Sequence, residues 1–343
     1  MTIQVLAAPD KFRGTATALE ACRAISGAVR DAGYICVEQP LADGGEGTVE
    51  ALGGANQVTM VQGPLNRQVA ARWRLQDGIA VIEAAQACGL LQAGGAEGND
   101  ALRASTYGVG QLIAEAVDRG AGRIVVGLGG TASTDGGRGM MDAVQERIGD
   151  VFPVPVTACC DVATRFVDAA KVFGPQKGAD QAAVRLLTVR LERLSAQYKT
   201  EFGIDVNSVR GSGAAGGLAG GLAALGGDLA PGLEVIGASV GLGGLVATAD
   251  LVVTGEGRLD PSSFDGKVVG GLVAMTETRQ TPTLVVAGAV DDRVQAMTLP
   301  RNVEYVDLTS SFGSERAYAD TQRCIAEAVG AHLNKLSVTC KWD

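Results

Sequence analysis

Hydrophobic positions at the start of the chain change period several times. Ile3–Ala8 is a nearly continuous apolar run, as expected of a buried strand. Thr17-Ala-Leu-Glu20 forms a capping box, after which Leu19, Cys22, Ile25 and Val29 recur at helical spacing until Gly33. Tyr34–Leu41 reads as a second strand, and Asp43 onward as the start of another helix. From Gln57 the pattern switches to alternation. Gln57–Gln62, Arg67–Gln76 and Ile79–Ala84 read as antiparallel strands, the last two joined by the hairpin pair Asp77-Gly78. Val109, Leu112, Ile113, Ala116 and Val117 stripe a strong helix, Ile124–Leu128 is a strand, and residues 178–249 read as largely helical.

Strand–helix alternation returns at Asp250, with short apolar strands at Leu251–Thr254, Thr283–Ala287 and Val303–Leu308. Two N-terminal and three C-terminal strands match a flavodoxin-like parallel sheet, whose order places the first strand beside the third. The expected architecture is α/β: a discontinuous flavodoxin-like domain, residues 1–55 plus 250–343, carrying an inserted mixed α/β domain, residues 56–249. A single continuous α/β domain with a hairpin appendage is the alternative.

Composition narrows the chemistry. Among 343 residues are 49 glycines, gathered in short strings with no regular period, as in turns where backbone approaches a ligand or another element. A net charge of −9 argues against a nucleic-acid surface. The seven cysteines lack C-x-x-C spacing and read as small buried thiols of a reducing cytoplasm. No stretch has the pattern of a signal peptide or a membrane span. With His332 as the single histidine, placed near a helix end, a Ser-His-Asp hydrolase or a His-ligated metal is excluded, so base chemistry falls to a carboxylate or lysine.

Charged, glycine-bearing strings follow the expected strands, where ligands of open parallel sheets bind. They are Asp10-Lys11-Phe12-Arg13-Gly14, Asp43-Gly44-Gly45-Glu46-Gly47 and Gly255-Glu256-Gly257-Arg258. Further strings end in Asp135, hold Lys177 in a turn, or, as the string Gly211–Gly217 that begins Gly211-Ser212-Gly213, open a helix with free amides. Each has a plainer reading: Asp43 and Glu46 as a helix cap, Asp135 as an N-cap, and Gly211–Gly217 as a helix–helix contact. Neither a Walker A string nor a protein-kinase catalytic loop occurs, and the first strand lacks the dinucleotide fingerprint. The residues alone thus imply a two-domain α/β enzyme with an anion-binding cleft of carboxylates, lysines and arginines.

Eight ordered segments resemble the bacterial glycerate kinase family, the two-domain type with flavodoxin-like and restriction-enzyme-like domains. They are APDKFRGT (8–15), LADGGEGTVEAL (41–52), VIEAAQACGL (81–90), STYGVGQLI (105–113), IVVGLGGTASTDGG (124–137), VFGPQKGAD (172–180), GSGAAGGLAGGL (211–222), and ADLVVTGEGRLD with GKVVGGL (249–272). The resemblance implies phosphorylation of D-glycerate by ATP with Mg²⁺, generally at the 2-hydroxyl, in a cytoplasmic enzyme; the sequence leaves open whether it is a homo-oligomer. It further implies roles. Lys11, Arg13, Lys177, Arg258 and Lys267 hold the glycerate carboxylate and ATP phosphates, and Gly211, Ser212 and Gly213 meet a phosphate. Asp43, Glu46, Asp161 or Glu256 carries Mg²⁺, while Asp135 or Asp10 accepts the hydroxyl proton. The sequence departs from the family in a short connection, Arg138–Cys159, and in ATRFVDAAK where N-P-L is expected after Asp161-Val162. These departures leave open a phosphohydrolase or a non-catalytic metabolite-binding relative, which glycerate-dependent ADP formation separates from a kinase.

Overall fold

The computed structural model describes residues 3–339, with side chains to residue 335. Strands in chain order are β1 (Gln4–Ala7), β2 (Ile35–Glu38), β3 (Gln57–Gln62), β4 (Gln68–Gln76), β5 (Ile79–Glu83), β6 (Arg123–Gly127), β7 (Val156–Cys159), β8 (Asp228–Ala230), β9 (Leu251–Leu259), β10 (Thr283–Val290) and β11 (Val303–Asp307). By their contacts the residues part into two compact units. The first comprises residues up to Asp43, Glu50–Leu52 and those from Leu233 onward; the second comprises Gly44–Val49 and Gly53–Gly232.

The first unit holds a parallel sheet in the order β11-β10-β9-β1-β2, the flavodoxin-like arrangement expected from the sequence. Val5 pairs with Leu251, and the Thr254 hydroxyl donates to Ala8 O across 246 positions of chain. Alternation along β1 explains why both faces are covered. Val5 and Ala7 pack with Cys22, Ile25 and Val29 of the helix Ala18–Asp31 and with Ile325 and Val329 of the helix Thr321–Thr339. Leu6 and Ala8 pack the other way, against Leu233, Ile236, Leu242, Val246 and Leu272. Burying each large apolar side chain contributes about 1.5–3 kcal/mol. The capping box forms, with Thr17 Oγ1 accepting from Glu20 N–H and Glu20 accepting from Thr17 N–H.

The second unit is built on a mixed sheet. β3, β4 and β5 are antiparallel, and β5 through β8 run parallel in sequence order. Asp77 and Gly78 both take positive φ, 51° and 75°, as a two-residue turn matched to strand twist requires. Trp73, Leu112, Ile113, Met140, Leu187, Leu191 and Leu222 share one core, and Trp73 donates its indole N–H to Thr59 Oγ1.

Four expectations need correction. β9 does not stop at Thr254 but runs on to Leu259, so Glu256 and Arg258 lie in a strand paired with β10. Gly255 makes this extension fit, since a Cβ there would come 2.1 Å from Val286 O. No helix starts at Asp43, because Gly44 and Gly47 are left-handed (φ 83° and 99°) and helix begins only at Thr48. β7 was not anticipated, and β8 interrupts the segment read as helical; at four and three residues neither carries a periodic signal. Finally, the helices between Gly232 and Thr248, read as part of the insertion, pack on the first unit through Leu233, Ile236, Leu242 and Val246.

Candidate active site

In the first unit, the chain leaving β1 is laid over β9. Asp10 N–H donates to Gly255 O at 2.9 Å, and a Cβ on Gly257 would come 2.8 Å from Arg13 N, so only glycine lets this loop approach β9. Asp10 is 8% exposed, and its carboxylate accepts from Lys11 N–H at 2.7 Å. Burial, then the neighbouring Asp43 charge, push its pKa up to about 7; Lys11 and its amide oppose this, and Glu256 adds to the rise. Lys11 Nζ lies 3.9 Å from Asp43 Oδ1. Burial also raises Glu256, which the Ser263 hydroxyl and Lys267 partly offset. Its Oε1 is buried without a hydrogen-bond partner. Asp10, Lys11, Asp43 and Glu256 thus form one electrostatic cluster.

Arg13 is exposed on this same loop. Arg258 reaches Asp291 at 3.2 Å, and Lys267 donates to Ser262 Oγ at 3.0 Å. Both are surface contacts of the kind that contribute little to stability.

In the second unit Asp135 has a different environment. Oδ2 accepts from Thr106 N–H and Thr106 Oγ1, both at 2.8 Å, and from Gly139 N–H at 3.2 Å; Oδ1 accepts from Gly137 N–H at 3.1 Å. The Thr106 hydroxyl in turn accepts from Met140 N–H. Asp135 therefore serves the starts of two helices, Tyr107–Asp118 and Arg138–Arg147, without being the N-cap residue of either. Sequence reasoning missed Thr106; its place just before a helical stripe was the available signal.

Lys177 is 3% exposed, and its Nζ donates to Ser133 O at 2.6 Å and to Thr131 Oγ1 at 3.2 Å. Burial lowers its pKa to about 8, against the opposing charges of Cys88 and Asp135. It ties down the glycine-rich string instead of projecting from it. The string Gly211–Gly217 does lead into a helix, Leu218–Ala224, through a 3-10 turn in which Ala215, Gly216 and Gly217 have positive φ, but its amides are not free. The amides of Ser212, Gly213 and Ala214 are committed to Val209 O, Thr164 O and Gly211 O. A Cβ on Gly217 would come 2.8 Å from Gly136 Cα, so this stretch is a close packing contact.

The expected metal carboxylates divide between the units. Asp43 and Glu256 stand in the first, while Glu46, exposed, and Asp161, whose Oδ1 accepts from Gly232 N–H, stand in the second. Among the described residues, no three His, Cys, Asp or Glu side chains are placed to hold an ion. Mg²⁺ needs no such cage, since it usually binds one or two carboxylates plus substrate phosphates and water. Asp43 and Glu256, one with a partnerless buried oxygen, suit that kind of site.

The model of the glycerate kinase family matches residues 5–152 and 151–336, nearly the whole chain. The chain belongs to the glycerate kinase family. It is an enzyme, a phosphotransferase acting on an alcohol group. The two stretches meet at the short connection ahead of β7. A glycerate kinase of Halalkalibacterium halodurans is 38% identical over 334 residues, covering 85% of this chain and 87% of its own. The glycerate 2-kinase of Escherichia coli K12 is 34% identical, with the same coverage. A crystal structure from Salmonella typhimurium LT2, described as a candidate glycerate kinase 2, superposes with a TM-score of 0.82 at 29% identity over all of both chains. The resemblance drawn from the motifs is thereby borne out. No helix among the described residues is long and apolar enough to cross a membrane.

Proposed function

We propose that this enzyme transfers the γ-phosphoryl group of ATP to D-glycerate, with Mg²⁺, giving 2-phosphoglycerate. The observation that carries the reading is the 34% identical relative named a glycerate 2-kinase, which aligns with 85% of the chain. The cluster at the end of β1 supports it chemically, because phosphoryl transfer depends on positioned charge and a group to receive the acceptor proton.

Lys11 and Arg13 neutralise the carboxylate of glycerate and the charge developing on the transferred group, and Arg258 and Lys267 contact the nucleotide phosphates. Asp43 and Glu256 hold Mg²⁺, and Glu46 is kept as a further metal or nucleotide contact. When bound, the ion withdraws charge from the phosphate oxygens. Asp10 accepts the hydroxyl proton; its pKa of about 7 suits a base working near neutrality. It is preferred to Asp135, both of whose oxygens already accept N–H or O–H donors. Lys177, Gly211, Ser212, Gly213 and Asp161 are given supporting roles, since each is buried or held by backbone. The flavodoxin-like unit and the second unit are proposed as the two functional domains. A cytoplasmic setting agrees with six free cysteines among the described residues.

The decisive assay measures ADP formed from ATP on adding D-glycerate, with the product passed to enolase. A 2-phosphate feeds enolase directly, whereas a 3-phosphate needs added phosphoglycerate mutase. Phosphate release without glycerate-dependent ADP would favour a phosphohydrolase, and no turnover a binding protein. Sedimentation of the same sample reports whether it is a homo-oligomer.

A further inference from the structure

Glu83 ends β5, is 5% exposed, and takes no part in the roles assigned above. Its Oε1 accepts from Gly47 N–H at 3.0 Å and from Val49 N–H at 2.8 Å. Both amides belong to the Gly44–Val49 loop, which carries Glu46 and contains two left-handed glycines. Holding such a loop in one conformation costs entropy, which specific contacts must offset.

Other contacts agree on where the loop sits. Leu128 N–H donates to Gly44 O at 3.0 Å, and the Thr48 hydroxyl donates to Gly45 O at 2.7 Å. A Cβ on Gly129 would come 2.8 Å from Gly45 Cα, and one on Gly44 would come 2.2 Å from Cys159 Cβ. The loop therefore rests on the carboxyl ends of β5, β6 and β7. Glu83 is the buried carboxylate among these contacts, and hydrogen bonds from backbone amides to an ionised carboxylate are roughly twice as strong as neutral ones.

We propose that Glu83 is a positioning residue, holding the Gly44–Val49 loop, and with it Glu46, in the conformation used for phosphoryl transfer. Burial raises its carboxyl above the usual range, while the Val49 and Gly47 amides pull it back. The inference rests on the proposed kinase activity for its catalytic consequence, though the loop contact itself does not. Displacing a reacting or binding group by about an ångström can cost on the order of 100-fold in rate.

The test compares Glu83→Ala with Glu83→Gln in the full chain. Glutamine keeps an oxygen that can accept from both amides; alanine does not. Expected for E83A is a kcat lower by about 10- to 100-fold, measured well below its melting temperature, with the glycerate KM changed by less than about threefold. E83Q should stay within about fivefold of wild type. Hydrogen exchange at Gly47 and Val49 should quicken in E83A and not in E83Q, with β6 amides unchanged in both. If E83A does not fold, Glu83→Asp, which shortens the reach by one methylene, should show the same pattern in weaker form. A folded E83A with wild-type kcat and protected amides would overturn the proposal, as would E83Q as impaired as E83A. Should the wild type fail to phosphorylate glycerate, the kinase reading falls, while exchange at the two amides still decides whether Glu83 holds the loop.

Discussion

Asp10 and Asp135 both follow a buried strand, both stand in a turn with glycine close by, and both are 8% exposed. Their partners differ. Asp135 accepts four hydrogen bonds that close the starts of two helices. Asp10 accepts from the Lys11 amide, and burial together with the nearby Asp43 and Glu256 charges, against Lys11, disfavours its ionised form near neutrality. Equal burial thus hides opposite electrostatic situations. A satisfied carboxylate stabilises the fold, whereas one crowded by like charges is poised to exchange a proton or meet a cation.

The largest effect is expected from Asp10→Asn. Turnover should fall by about two to four decades, the share typical of general acid–base catalysis. The wild-type acid limb of kcat/KM near pH 7 should vanish in the residual rate. The sign of the stability change is also fixed by linkage. Because the folded pKa of about 7 lies above the ordinary 3.8, this aspartate's contribution is full below about pH 4 and lost as pH rises through 7. At pH 8 the Asn variant should therefore melt no lower than wild type, and a clear drop would mean that Asp10 resembles Asp135 after all.

Lys11→Ala comes next, with kcat reduced by about 100- to 1,000-fold, as on removing one transition-state charge stabiliser. Its melting temperature should barely move, since the side chain's ion pair with Asp43 is long and partly exposed. A stability loss that accounts for the lost activity would break the contrast between the two regions.

Asp135→Asn should do the reverse. An amide offers one acceptor oxygen where the carboxylate offers two, leaving a buried donor unmatched at a cost of about 1–3 kcal/mol. Thermal unfolding should show this loss, while activity per folded molecule stays within about fivefold of wild type. A folded variant without turnover would return Asp135 to the chemistry.

Lys177 sharpens the comparison by a smaller, pH-dependent effect. Its folded pKa of about 8 lies below the ordinary 10.5, so between those values the unfolded chain binds more protons and stability rises with pH. Lys177→Met should flatten that slope in denaturant melts at pH 8, 9 and 10. An unchanged slope would show that the ammonium is not the group responsible.

Much of the architecture was legible in the sequence, because burial leaves a periodic trace. The apolar strands of the first sheet, the Thr17 capping box and the Asp77-Gly78 turn are local consequences of residue type, and the ordered motifs were enough to point to the family. The family also tells which strings to look at. What each string does could not be read in one dimension. That Glu256 lies within β9, that the amides of Ser212, Gly213 and Ala214 are occupied, and that Glu83 grips a loop 34 residues earlier in the chain are facts about tertiary partners. Periodicity records whether a residue faces water or core. It does not record whether a buried carboxylate finds donors or other carboxylates, and only the tertiary structure, by setting groups distant in the chain side by side, decided that Asp135 is met by donors and Asp10 by like charges.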